Sequence, residues 1–165
     1  MVSWTVVSEQ ICDLIKDENG ITIDPSDLKY QRGEELKVLL FGFDFTSIDV
    51  DYLDESDDED IAYMIVESVD SLAKRVTENR IKYLESTIQP IIDEVTKAKG
   101  VKLSYEIENR GYMGRARHYL NESEYERDYP DLVILIRGGK KIVELPLDPY
   151  QADEPFDVYE LKEKI

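Results

Sequence analysis

Nine carboxylates stand between Asp44 and Asp60 (Asp44, Asp49, Asp51, Asp54, Glu55, Asp57, Asp58, Glu59 and Asp60) with no Lys or Arg among them. Acidic side chains at this density can ligate a hard divalent cation or attract a cationic macromolecule. A calcium loop begun at Asp49 would find ligands at Asp49, Asp51 and Asp60. It would also find Leu53 where a ligand belongs and Asp54 where the sharp turn needs glycine, so the EF-hand pattern is not met. Docking is the chemistry left. Asp49, Asp51, Asp54, Glu55, Asp57, Asp58 and Asp60 are the expected partner-binding surface, with a solvated loop and helix start as the competing reading.

A second pair of carboxylates flanks a hairpin. With Gly138-Gly139 as a two-residue turn, Arg137 pairs with Lys140, Val133 with Glu144 and Asp131 with Pro146. Asp131 and Glu144 are then diagonal neighbours roughly 5 to 8 Å apart, a spacing that can hold one divalent metal. Pro130-Asp131, a hairpin and then Glu144 in an apolar strand resembles the core of the PD-(D/E)xK nucleases, in which a lysine follows two residues after the acidic residue. The resemblance spans about seventeen residues of a degenerate pattern. It implies metal-dependent phosphodiester hydrolysis with Asp131 and Glu144 as ligands. This chain departs from it at position 146, which is proline, so the cation that would stabilise the hydroxide or the phosphate is missing. Lys140 and Lys141 lie at the turn, the wrong end of the ladder.

Basic charge concentrates in NRGYMGRARHY, where Arg110, Arg115, Arg117 and His118 interleave with Tyr112 and Tyr119. Arginine beside tyrosine can stack a base or a nucleotide, or serve as a counter-surface for an acidic face. No other basic cluster extends it into a groove, which favours the second use. Nucleophilic chemistry has little to draw on. Cys12 falls beside the apolar stripe of a helix, where a thiol stays protonated and inert, and His118 is the one histidine. One His and one Cys fall short of any usual zinc set. No cofactor is expected, and the residues lean away from an enzyme.

The elements that position these groups follow from periodicity. Val7, Ile11, Leu14 and Ile15 recur at helical spacing and Asn19-Gly20 supplies a stop. Ile21–Ile23 reads as a brief strand. Leu36 to Phe45 carries apolar side chains on both parities, as a central strand does, and Ser47 to Tyr52 alternates like a half-wet one. Ser56-Asp57-Asp58-Glu59 is a capping box. It opens a long helix over about 57–99 whose apolar steps of three and four run to Lys99-Gly100, with Pro90 predicting a kink or break near Thr87 to Gln89. Val101 to Glu108 alternates as a strand, 132–145 is the hairpin, and 146–165 is a proline-containing tail with a last helical turn or two. The order predicts an α+β fold: one domain over 1–165, a largely antiparallel sheet, the long helix on a face and a short N-terminal helix.

Composition sets the outer bounds. The chain has 165 residues and a formal charge of −17, from 37 Asp and Glu against 20 Lys and Arg. That charge repels phosphate backbones and anionic lipid, so nucleic acid and membrane are disfavoured as partners. A lone cysteine and the lack of a basic flank with an apolar h-region at Met1 point to the reducing cytoplasm. Eleven tyrosines favour interfaces. The expectation is a non-enzymatic acidic module that docks a basic protein, as an inhibitor, an antitoxin-like protein or an assembly component does. A degenerate nuclease on Asp131 and Glu144 and a subunit of a larger particle, such as a viral assembly, are the rival readings.

Overall fold

The computed structural model describes residues 1–51, 53–109, 132–147 and 155–165. It is an α+β structure of ten principal elements among those residues. The chain divides into two compact units, with Met1–Arg80 in the first and the described residues from Ile81 onward in the second. All sheet pairings are antiparallel, and the strands form two sheets of three.

The first unit opens with α1, Trp4–Asn19. Ser3 caps it, and Gly20 ends it at φ 66 by sending its N–H back to the Lys16 carbonyl. Val7, Ile11 and Ile15 are fully buried along one stripe, with Ser8 and Cys12 beside them. Ile21 and Ile23 are buried without forming a strand, and a 3-10 turn at Pro25–Asp27 follows. Then come β1, Leu28–Arg32, β2, Glu35–Leu40, and β3, Phe43–Asp49, side by side in that order.

The stretch Leu36 to Phe45 is therefore a hairpin, not one continuous strand. Phe41 and Gly42 turn it at φ 57 and φ 85, two successive left-handed residues as a tight hairpin requires. Apolar residues on both parities arise because Leu36, Val38 and Leu40 face the core from β2, while a register shift at Val38/Leu39 brings Phe45 to 3% exposure.

After β3 the acidic connection is pinned by Leu53, which is fully buried. It leads into α2, Asp58–Glu67, and α1 packs against α2. The cap of α2 is Asp57, whose carboxylate accepts the Asp60 N–H at 2.8 Å, one residue later than the Ser56 capping box implies. The long helix is broken at 68–71, not near Pro90. Ser71 sits at φ 54, and α3 then runs from Leu72 to Lys99 with Pro90 inside it. Val69 keeps the apolar period intact across the break, which hides it from a periodicity reading.

In the second unit, α3 from Ile81 onward lies on the sheet of β4, Leu103–Asn109, β5, Leu132–Gly138, and β6, Lys141–Pro146. Leu84, Ile88, Ile92 and Val95 meet Ile134, Ile136, Val143 and Leu145 in its core. The last helix, α4, Val158–Lys164, adds Leu161. In the hairpin Gly138 pairs with Lys141, so the turn is Gly139-Lys140 and every pairing shifts: Arg137 faces Ile142, Leu135 faces Glu144, and Val133 faces Pro146. No helix among the described residues is long and apolar enough to cross a membrane.

Candidate functional site: the acidic segment and the cavity beside it

The acidic segment belongs to the first unit and has three kinds of carboxylate: ion-paired, bonded to backbone, and turned to solvent. Two are ion-paired: Lys37 Nζ lies 3.3 Å from Asp44, and Arg32 donates to Asp54 through Nη2 at 3.2 Å and Nη1 at 3.4 Å. The Arg32 guanidinium, by hydrogen bond and charge, holds the Asp54 carboxyl below its usual range. Both pairs are exposed, so solvent screens them and neither holds the fold together.

Others serve the backbone. Asp49 accepts the Asp51 N–H at 3.0 Å, Asp57 caps α2, and Asp58 accepts the Ser3 N–H at 3.0 Å, tying the start of α2 to the start of α1. Asp49, Asp51, Glu55, Asp57, Glu59 and Asp60 are all exposed, and among the described residues none of them has a cation within 4 Å.

Beside this segment, in the same unit, is a cavity of about 200 Å³. Its wall is the pair Trp4 and Tyr30, stacked with ring centroids 4.5 Å apart and planes at 26°. Trp4 and Ser8 lie one turn apart on α1, so a single helix face meets both parts of Tyr30, Trp4 on its ring and Ser8 on its hydroxyl at 2.7 Å. Burial pushes the Tyr30 phenol up to about 12. Two residues on, Arg32 shares a strand face with Tyr30 and sits opposite fully buried Leu36. Asp54 closes the rim from the acidic connection, and Met1 and Val2 complete the lining.

Sequence reasoning missed this cavity because Trp4, Tyr30 and Asp54 are more than twenty residues apart. The available signal was the i, i+2 pair Tyr30 and Arg32, on a strand whose polar residues (LKYQR) conceal it.

No family model, curated protein or solved structure matches the chain.

The remaining expected groups fall elsewhere. Arg110, Tyr112, Arg115, Arg117 and His118 lie outside the described residues, as does Asp131. Glu144 is exposed on β6 opposite Leu135. The pairing of Val133 with Glu144, which made Asp131 and Glu144 diagonal neighbours, is replaced by Val133 with Pro146. Among the described residues no three His, Cys, Asp or Glu side chains are grouped to hold a metal ion. Burial, helped by Asp24 and Asp27, raises the Cys12 thiol to about 12, so it stays protonated.

Proposed function

We propose that this chain is a non-enzymatic protein-binding module that docks a basic partner protein on residues 44–60. One observation carries the reading. A fully buried Leu53 and an N-capped α2 present Asp49, Asp51, Glu55, Glu59 and Asp60 outward from a folded unit, with no counter-cation near them among the described residues. Fixed anionic charge of this kind speeds association with a cationic surface and disfavours phosphate backbones and anionic membranes. Inhibitor, antitoxin-like and assembly roles all use such a face. The lone, buried Cys12 supports a reducing compartment, the cytoplasm.

The test begins with a partner captured at low salt from the native host, identified by mass spectrometry and purified. Its association rate is then measured against ionic strength for the wild type and for Asp49→Asn, Asp51→Asn, Glu55→Gln, Glu59→Gln and Asp60→Asn combined. The wild-type rate should fall steeply with salt, and the variant should associate about tenfold more slowly at low salt with a flattened salt dependence. An unchanged rate overturns the reading.

A further inference from the structure

The cavity of Trp4, Tyr30, Arg32, Leu36 and Asp54 adjoins the acidic segment at two places. Asp54 forms part of its rim, and Asp58 holds the Ser3 N–H between the lining residues Val2 and Trp4. At about 200 Å³ it is smaller than the sites of drug-sized ligands, which run roughly 300 to 1,000 Å³. One long side chain is the better match. An aromatic wall with a carboxylate at its mouth suits a cationic head group, which gains from the ring faces and from the anion together. The partly exposed Val2 beside that wall suits an aliphatic stem. Arg32, the one cationic side chain of the lining, is already turned onto Asp54, and both partners remain exposed, at 48% and 75% of their side-chain surface.

We infer that this cavity receives one arginine or lysine side chain of the basic partner, with its stem along the partly exposed Val2 and its head between the Trp4/Tyr30 wall and Asp54. The inference rests on the docking reading above and adds the side chain that the partner must supply. Arg32 is then an internal competitor that the incoming cation displaces from Asp54. An anionic ligand is the opposite case: it would need Arg32, and it would have to approach through the field of the surrounding carboxylates.

Trp4 is the chain's one tryptophan, so its fluorescence reports on this cavity directly. The probes are N-acetyl-arginine methylamide, its neutral isostere N-acetyl-citrulline methylamide, and N-acetyl-glutamate methylamide, each titrated in the millimolar range. The arginine probe should give a saturable change and bind about threefold more tightly than citrulline. Asp54→Asn should erase that preference, and Arg32→Gln should tighten arginine binding by a similar factor. Both substitutions are at exposed positions, and unchanged circular dichroism confirms the fold.

Equal binding of arginine and citrulline overturns the inference, as does an absence of saturable change. Tighter binding of the glutamate probe, abolished by Arg32→Gln, overturns it in favour of an anion site. If the five-residue acidic variant slows partner association while the arginine probe gives no response, the cavity inference alone fails. If that variant leaves association unchanged, the docking reading itself fails.

Discussion

Asn79 is a polar side chain with no exposure, and it spends its amide on the β2–β3 turn. Its Nδ2 shares two hydrogens among the carbonyls of Leu40, Phe43 and Asp44 at 3.2, 3.3 and 3.1 Å, while its Oδ1 is buried with no partner among the described residues. The neighbouring Arg80 places its guanidinium 4.0 Å from the Phe41 ring centroid, on the residue that adopts the strained φ of 57°. These contacts explain why a phenylalanine is tolerated in a left-handed conformation that costs it about 1–2 kcal/mol. Replacing Asn79 by leucine strips a donor from three carbonyls and should destabilise the first unit by about 2 kcal/mol. Urea unfolding followed through Trp4 measures it. The apolar stripe lapses at Asn79 and Arg80 in the sequence; in the structure that lapse marks the two residues that clamp the turn.

The elements differ in how far the sequence revealed them. α1 was legible because four apolar residues and a glycine stop agree. The strand β1 was not, because Lys29, Gln31 and Arg32 dilute its signal, and Tyr30 finds its partners only on α1. The β2–β3 turn was hidden because phenylalanine is an unusual turn residue, leaving Gly42 as the one cue. Two of the hairpins among the described residues therefore mislead at their turns, β2–β3 taken as one strand and β5–β6 displaced by one residue onto Gly139-Lys140.

In α3 the reverse holds: Pro90 suggested an interruption, yet the helix continues through it. The Oγ of Ser86 and the Oγ1 of Thr87 both donate to the Tyr83 carbonyl in the turn just before, while the core row Leu84, Ile88, Ile92 keeps its period. Tertiary burial outweighs the roughly 3 kcal/mol that proline costs inside a helix. Pro90 is exposed, so Pro90→Ala should restore a hydrogen bond to the Ser86 carbonyl. Offset by the freer unfolded chain, the net gain should be about 1–2 kcal/mol, read as a higher melting temperature by far-ultraviolet circular dichroism.

For the whole molecule, a charge of −17 means that the folded state works against its own repulsion at neutral pH. Raising ionic strength from about 10 mM to about 300 mM shortens the screening length from roughly 30 Å to under 8 Å. Thermal stability at pH 7 should therefore rise with salt, and the rise should shrink as pH approaches the sequence isoelectric point of about 4.4. Below that, the sign reverses for particular groups. Asp54 and Asp24 are lowered from 3.8, by Arg32 and by Ser26 respectively. A depressed folded value stabilises above the unfolded pKa, and that contribution is lost as pH falls through the folded value, so it should disappear only below about pH 3.8. Melting temperatures across pH 3 to 7 at both salts test the pair of effects, and a salt-independent melting point at pH 7 would refute the first. Charge and class were readable from composition because both are sums over residues. The cavity was not, since it depends on which distant residues the strands bring together.

β3 is an outer strand of its sheet among the described residues, and it carries the Val38/Leu39 register shift together with Asp44 and Asp49. Open strands invite ladder formation by a second molecule, and a kinked, like-charged border discourages it. The carboxylates suited to attracting a foreign surface thus also keep sister molecules from zipping together. Changes that neutralise them carry a hazard of self-assembly beside whatever they do to the proposed docking.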